Sequence, residues 1–248
     1  MIERDAPRPV PLPARGEPAF LDSLRATTPA RIGLGRAGVG LPTAAHLDFQ
    51  LAHARARDAV HAALDVEGIA AALPAETLRL RSLAADRAAY LRRPDLGRRL
   101  DAPSRALLEG RSCATAFVVA DGLSATAVNR HAASLIRAMG PAAGPVSIVE
   151  GGRVAIGDEI GGLLGADLVA VLIGERPGLS AADSLGVYVT WQPAPGAVDA
   201  ARNCLSNIRP EGMPVAEAAA GLAALFAAAR RHRMTGVGLS RRLAVEGK

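Results

Sequence analysis

Two acidic side chains sit where chemistry could be done. Asp121 directly follows the short apolar run Ala114–Ala120 (ATAFVVA), and Glu175 follows the run Leu168–Ile173 (LVAVLI) after one glycine. If both runs are parallel strands, both carboxylates stand at the carboxyl edge of a sheet, where open α/β folds bind ligands. The segment Glu175-Arg176-Pro177-Gly178-Leu179 has a purely local alternative, a type II turn with Gly178 at positive φ. Spacing alone leaves both readings open. Cys204 lies in the polar stretch RNCLSNIRP (202–210) without a His or Asp at nucleophile spacing, so it reads as a small apolar residue. Asn203 and Asn207 stand at i, i+4, and on a helix they would offer two amides to a polar ligand.

Other chemistries lack their signatures. His46, His53, His61, His131 and His232 fit neither the H-E-x-x-H nor the C-x-x-C…H spacing of zinc sites, so no metal ligand is assigned. His46 and His53 share a polar helix surface. Neither Ser124 nor Ser180 sits in G-x-S-x-G. The only lysine, Lys248, is terminal, which excludes a Walker A lysine. Gly33–Gly38 (GLGRAG) matches G-x-G-x-x-G, but a dinucleotide site needs a strand before it and a helix directly after. Thr27-Thr28-Pro29 precedes and Leu41-Pro42-Thr43 follows, so a glycine-rich connecting loop is preferred.

The chain that must position these residues has 248 residues, half of them hydrophobic. That suits one medium domain with a small attachment. The net charge of +5 and pI of about 10.1 suggest nucleic acid at first. All but one of the 29 basic residues are arginine, spread along an alanine-rich chain with 3% aromatics. This is a compositional bias without a stacking platform, and no nucleic-acid partner is expected. Two cysteines, Cys113 and Cys204, cannot build a disulfide framework. The charged, proline-rich start has no apolar core of a secretory signal, and no run approaches the ~18 apolar residues of a membrane span. A cytoplasmic protein without membrane contact is expected.

Residues 1–18, with five prolines, read as a flexible arm. Residues 19–105 read as a small helical region, with helices over 44–64 and 76–91, the second stopped by Arg92-Arg93-Pro94. From 106 to 248, strands are expected at 114–120, 146–149, 168–173 and 185–191. Helices are expected from the Ser124 cap to Met139, over 154–164 with Gly165 closing it, over 198–208 and over 215–230. Strands apolar on both faces and alternating with helices predict an α/β fold: a Rossmann-like, mainly parallel sheet with helices on both faces, preceded by the small helical region.

The segments GRAG (35–38), ADGLSA (120–125), RVAIGDEIG (153–161), IGERPGL (173–179) and RNCLSNIRPEG (202–212) resemble the small subunit of ethanolamine ammonia-lyase, over roughly residues 25–240. The resemblance implies a carbon–nitrogen lyase that converts ethanolamine to acetaldehyde and ammonia by adenosylcobalamin-dependent radical chemistry. It implies a large-subunit partner, a TIM barrel that holds the substrate and the catalytic residues. The small subunit would cover the cofactor's other face with a Rossmann-like domain. The family's cobalamin contacts fall here on Val154, Glu175 and Cys204, and no catalytic residue is assigned to this chain. Cobalamin is rimmed with primary amides, and a carboxylate such as Glu175 can accept from them.

Many cobalamin mutases replace the cofactor's own base with the His of D-x-H-x-x-G. None of the five histidines has Asp two before and Gly three after it, so the cofactor is expected to stay base-on. Encapsulation in a bacterial microcompartment is a further implication of the resemblance. The alternative reading is a stand-alone Rossmann-like, nucleotide-dependent oxidoreductase, whose only motif is the misplaced GLGRAG.

Overall fold

In the computed structural model of the chain, residues 18–246 are described, except 29, 74 and 141–144. The arm expected over 1–18 lies outside the described residues, save Pro18, where the first helix begins. The chain divides into two compact units, Met1–His53 and Ala54–Lys248. Helix α1 (Pro18–Thr27) lies in the first, which also holds the start of α2 (Thr43–His61). Between them, Gly33, Gly35 and Gly38 take φ of +58°, +77° and +63°. Ala37 and Gly40 exchange backbone bonds of 2.9 and 3.2 Å. Among the described residues no strand precedes GLGRAG, and it is a turn-rich loop.

The second unit carries a six-stranded sheet. Its elements in chain order are α3 (Val66–Ala72), β1 (Thr77–Arg81), α4 (Arg87–Arg92), α5 (Ala102–Ala106), β2 (Thr115–Ala120), α6 (Ala125–Ala138), β3 (Val146–Glu150), α7 (Ile156–Leu163), β4 (Leu168–Gly174), β5 (Leu185–Trp191), β6 (Arg202–Ile208), α8 (Val215–His232) and α9 (Val237–Glu246). The strand order is β1-β3-β2-β4-β5-β6. The first four strands pair in parallel, and β5 runs antiparallel to both β4 and β6. The fold is therefore mixed α/β with a mostly parallel sheet. The reversal at β5 has a local cause. Parallel neighbours need a crossover of a dozen or more residues, and only the helix-free loop 175–184 joins β4 to β5.

Alternation along the strands separates two cores. Phe117, Val119, Ile148 and Leu172 pack on one face beneath α6 and α8, with Leu135 and Phe226 among the covering residues. Ala116, Val118, Val171 and Ile173 pack on the other face beneath Ile156 and Ile160 of α7. Each fully buried Phe, Leu or Ile stabilises by roughly 1.5–3 kcal/mol relative to exposure. The Ser124 hydroxyl caps α6 as expected, accepting from Ala127 N at 3.2 Å.

Two expected helices are corrected. Over 76–91 the chain forms β1, a loop and α4. Leu78 and Leu80 are buried while Arg79 and Arg81 are exposed, a period of two that outweighs the helix propensity of Leu and Arg. Over 198–208 it forms a 3-10 turn at Asp199–Ala201 and then β6. Asn203 and Asn207 consequently do not share a helix face. Asn203 bonds Gly236 N at 2.6 Å and Ser240 Oγ at 3.1 Å, which ties β6 to α9. Asn207 takes φ +57° near the end of β6 and accepts from Arg209 at 2.9 Å.

Candidate functional site

The carboxyl edge between β2 and β4, where the chain's path along the sheet changes direction, is closed by backbone. Leu123 N donates to Gly174 O at 2.9 Å. A Cβ on Gly174 would lie 2.0 Å from Ser124 O, so only glycine fits there. Asp121 is engaged at this edge. It accepts from Gly152 N at 3.0 Å and from Arg87 at 3.2 Å, and Arg87 also donates to Gly122 O at 2.8 Å and to Val60 O at 2.7 Å. Burial pushes the Asp121 carboxyl up, opposed by Arg87 and by the neighbouring backbone N–H groups. Beside it lies a cavity of about 200 Å³ lined by His61, Arg87 and Tyr90 among others. Asp121 is a structural clamp, and it does not share partners with Glu175.

Glu175 has a different environment. Its backbone N donates to Ser184 O at 3.0 Å, and the Ser184 hydroxyl donates to Oε2 at 2.5 Å. Its other oxygen, Oε1, lies 2.8 Å from where a Cβ on Gly186 would sit, so the carboxylate rests over the glycine of β5. The loop that carries this arrangement is fixed at both sides. Ser124 donates to Ala182 O at 2.8 Å, and Arg130 pairs with Asp183 at 2.6 Å. Gly178 does not take the positive φ of the type II turn considered from sequence. Instead it donates to Ala181 O at 2.8 Å, three residues further along.

Strand alternation places Gly186, Tyr188 and Thr190 on the α7 side of the sheet, opposite to Leu185, Val187 and Val189. Tyr188 is paired with Cys204 across β5 and β6. Cys204 is exposed, and its side chain stands beside that of Tyr188 on the same face of the strand pair. Desolvation pushes the thiol up; the Tyr188 contact opposes this and the Glu175 charge adds to it. Desolvation also takes the Tyr188 hydroxyl up to about 12. Glu175, Tyr188 and Cys204 thus form one cluster.

Val154 is on the same side of the sheet, half-buried against the core under α7. It lines a cleft of about 1020 Å³, whereas Cys204 lines a neighbouring pocket of about 480 Å³ along α9. Arg202 borders both. Arg202 holds Asp158 of α7 through two bonds of 2.5 and 2.8 Å, and also reaches Thr190 at 3.2 Å and Ala197 O at 2.8 Å. Next to Asp158, Glu159 accepts from Leu100 N at 2.8 Å and pairs with Arg105. Two successive carboxylates on α7 thereby fix the cleft's two walls. Sequence reasoning passed over Tyr188 and Arg202. Their signal was the period-two pattern with Cys204, which a helical reading of 198–208 hides.

Among the described residues, no group of three or more His, Cys, Asp or Glu could hold a metal ion, and no helix is long and apolar enough to cross a membrane. The donor set is instead one for a broad polar ligand: an acceptor carboxylate, an exposed thiol with a phenol beside it, and an apolar contact.

Comparison with known proteins places the chain in a family. The family model for ethanolamine ammonia-lyase light chain (EutC) matches residues 18–240. The ethanolamine ammonia-lyase small subunit of Ralstonia nicotianae is 55% identical over 231 residues, 87% of this chain and 86% of that protein. That of Xanthomonas campestris pv. campestris is 53% identical over 232 residues, covering 87% and 85%. That of Bradyrhizobium diazoefficiens is 52% identical over 230 residues, covering 87% and 88%. With the family's segments at their spacing and the match running through both units, the chain belongs to the ethanolamine ammonia-lyase small-subunit family.

Proposed function

We propose that this chain is the cobalamin-facing subunit of an adenosylcobalamin-dependent ethanolamine ammonia-lyase, acting with a large subunit that holds ethanolamine. The observation that carries the reading is that Val154, Glu175 and Cys204 share one side of the sheet. The residues fit the group. Oε1 of Glu175 can accept from a corrin amide N–H, and Ser184 orients that carboxylate from behind. Cys204 is small and exposed enough to lie against a macrocycle without crowding it. Val154 offers apolar contact at the start of α7. We read the sheet as a Rossmann-like cofactor platform whose α7 side is used, with the cofactor keeping its own base on cobalt. The radical chemistry belongs to the cofactor, while this chain's residues bind it, orient it and shield it from water.

The test is co-expression with the candidate large subunit. Co-purification together with adenosylcobalamin-dependent release of acetaldehyde from ethanolamine is the expected result. An isolated chain that binds NADH and ignores the large subunit would overturn the reading in favour of a stand-alone oxidoreductase.

A further inference from the structure

The cleft beside Val154 carries more positive charge than its own carboxylates answer. Five arginines and two acidic residues line it. Glu159 is taken by Arg105 and Leu100 N, and Asp199 lies 3.4 Å from Arg202, which also holds Asp158. Arg98 and Arg99 have no carboxylate partner among the described residues. Arg153 has none either: it donates to Tyr90 O at 3.2 Å and stacks on the Tyr90 ring at 4.1 Å, and its buried Nε has no partner.

These guanidiniums stand on a rigid base. Arg153 N donates to Gly97 O at 2.7 Å. A Cβ on Gly97 would meet Arg153 Cγ at 2.8 Å and Gly151 O at 2.9 Å, so the two loops are in backbone contact and only glycine permits it. The next residues are pinned as well, with Leu83 N donating to Arg99 O at 2.9 Å and Leu100 N donating to Glu159 at 2.8 Å. Arginine stays charged at every working pH and matches phosphate oxygens in fork geometry. An exposed loop would let these cations spread into solvent; here the backbone holds them beside Val154.

We propose that Arg98, Arg99 and Arg153 form an anion subsite for a phosphodiester. Resting on the functional reading above, the occupant is the phosphodiester of the cofactor's nucleotide tail. The corrin rim goes to Glu175 and Cys204, and the cleft takes the only anionic group of the cofactor. Gln substitution at Arg98 and Arg99 removes the charge and keeps hydrogen-bonding capacity.

The experiment titrates the reconstituted two-subunit complex spectrophotometrically with adenosylcobalamin and, separately, with adenosylcobinamide, which lacks the phosphodiester and the base. The double variant Arg98→Gln/Arg99→Gln is expected to bind adenosylcobalamin at least about tenfold more weakly and adenosylcobinamide as the wild type does. The salt dependence of adenosylcobalamin binding should flatten in the variant. Arg153→Gln should act in the same direction. Equal weakening for both ligands, or no change for either, overturns the subsite. Loss of co-purification in the variant also overturns it, by assigning the arginines to acidic groups of the large subunit. A wild-type complex that binds neither ligand would instead sink the functional reading itself.

Discussion

Asp158 on α7 and Arg202 on β6 form a bidentate ion pair at 2.5 and 2.8 Å with side chains 1% and 3% exposed. The pair joins the helix that follows Val154 to the strand that carries Cys204. Desolvation raises the Asp158 carboxyl, opposed by Arg202. Breaking a buried pair by removing one partner leaves the other charge uncompensated and costs about 3–5 kcal/mol. Arg202→Met and Asp158→Leu should therefore each lower stability by roughly that much in denaturant unfolding. The double variant Asp158→Leu/Arg202→Met should recover most of the loss. Additive losses would show that the pair does not act as a unit.

Gly186 leaves room for the Glu175 carboxylate. A methyl group there would sit 2.8 Å from Oε1 and 3.2 Å from Cγ, both in a movable side chain. Gly186→Ala should therefore leave thermal stability within a few degrees of wild type but turn Glu175 away from its place. Cobalamin affinity of the complex should fall by about tenfold, comparable to the loss of one hydrogen bond to a charged group. Unchanged affinity would mean that this position of Glu175 is not the binding one.

The Cys204 thiol reports on the cluster by its reactivity. Its pKa is held up by desolvation and by Glu175, with Tyr188 opposing. At a pH near 8, less of it is thiolate than of a free cysteine, so alkylation should be slow there and rise toward higher pH. Glu175→Gln removes the negative charge and should move the rate–pH profile to lower pH. Tyr188→Phe removes a donor to the thiolate and should move it to higher pH. Cys113 is buried and contributes little background to iodoacetamide labelling. Profiles that coincide in all three proteins would contradict the cluster.

The sequence made the parallel half of the sheet readable because Thr115–Ala120 and Leu168–Gly174 are buried along their whole length and flanked by turn residues. Their apolar runs need no tertiary context to be recognised. β1 and β6 escaped for the opposite reason. Each lies at an edge of the sheet, with arginines or polar residues at alternate positions. Short alternating segments of that kind match helix and strand patterns about equally. Glu175 was legible from its place after a strand. The separate fate of Asp121 was not, because its clamp is Arg87, 34 positions away. Nor could spacing show that Arg202 and Asp158, 44 positions apart, close the gap between Val154 and Cys204.

The most direct test of the account is the affinity of the reconstituted complex for adenosylcobalamin with wild-type and Glu175→Ala small subunits. The account predicts a dissociation constant raised by about tenfold or more, with turnover at saturating cofactor changed far less. An unaltered dissociation constant with turnover lost would contradict it, because Glu175 would then serve the reaction without holding the cofactor.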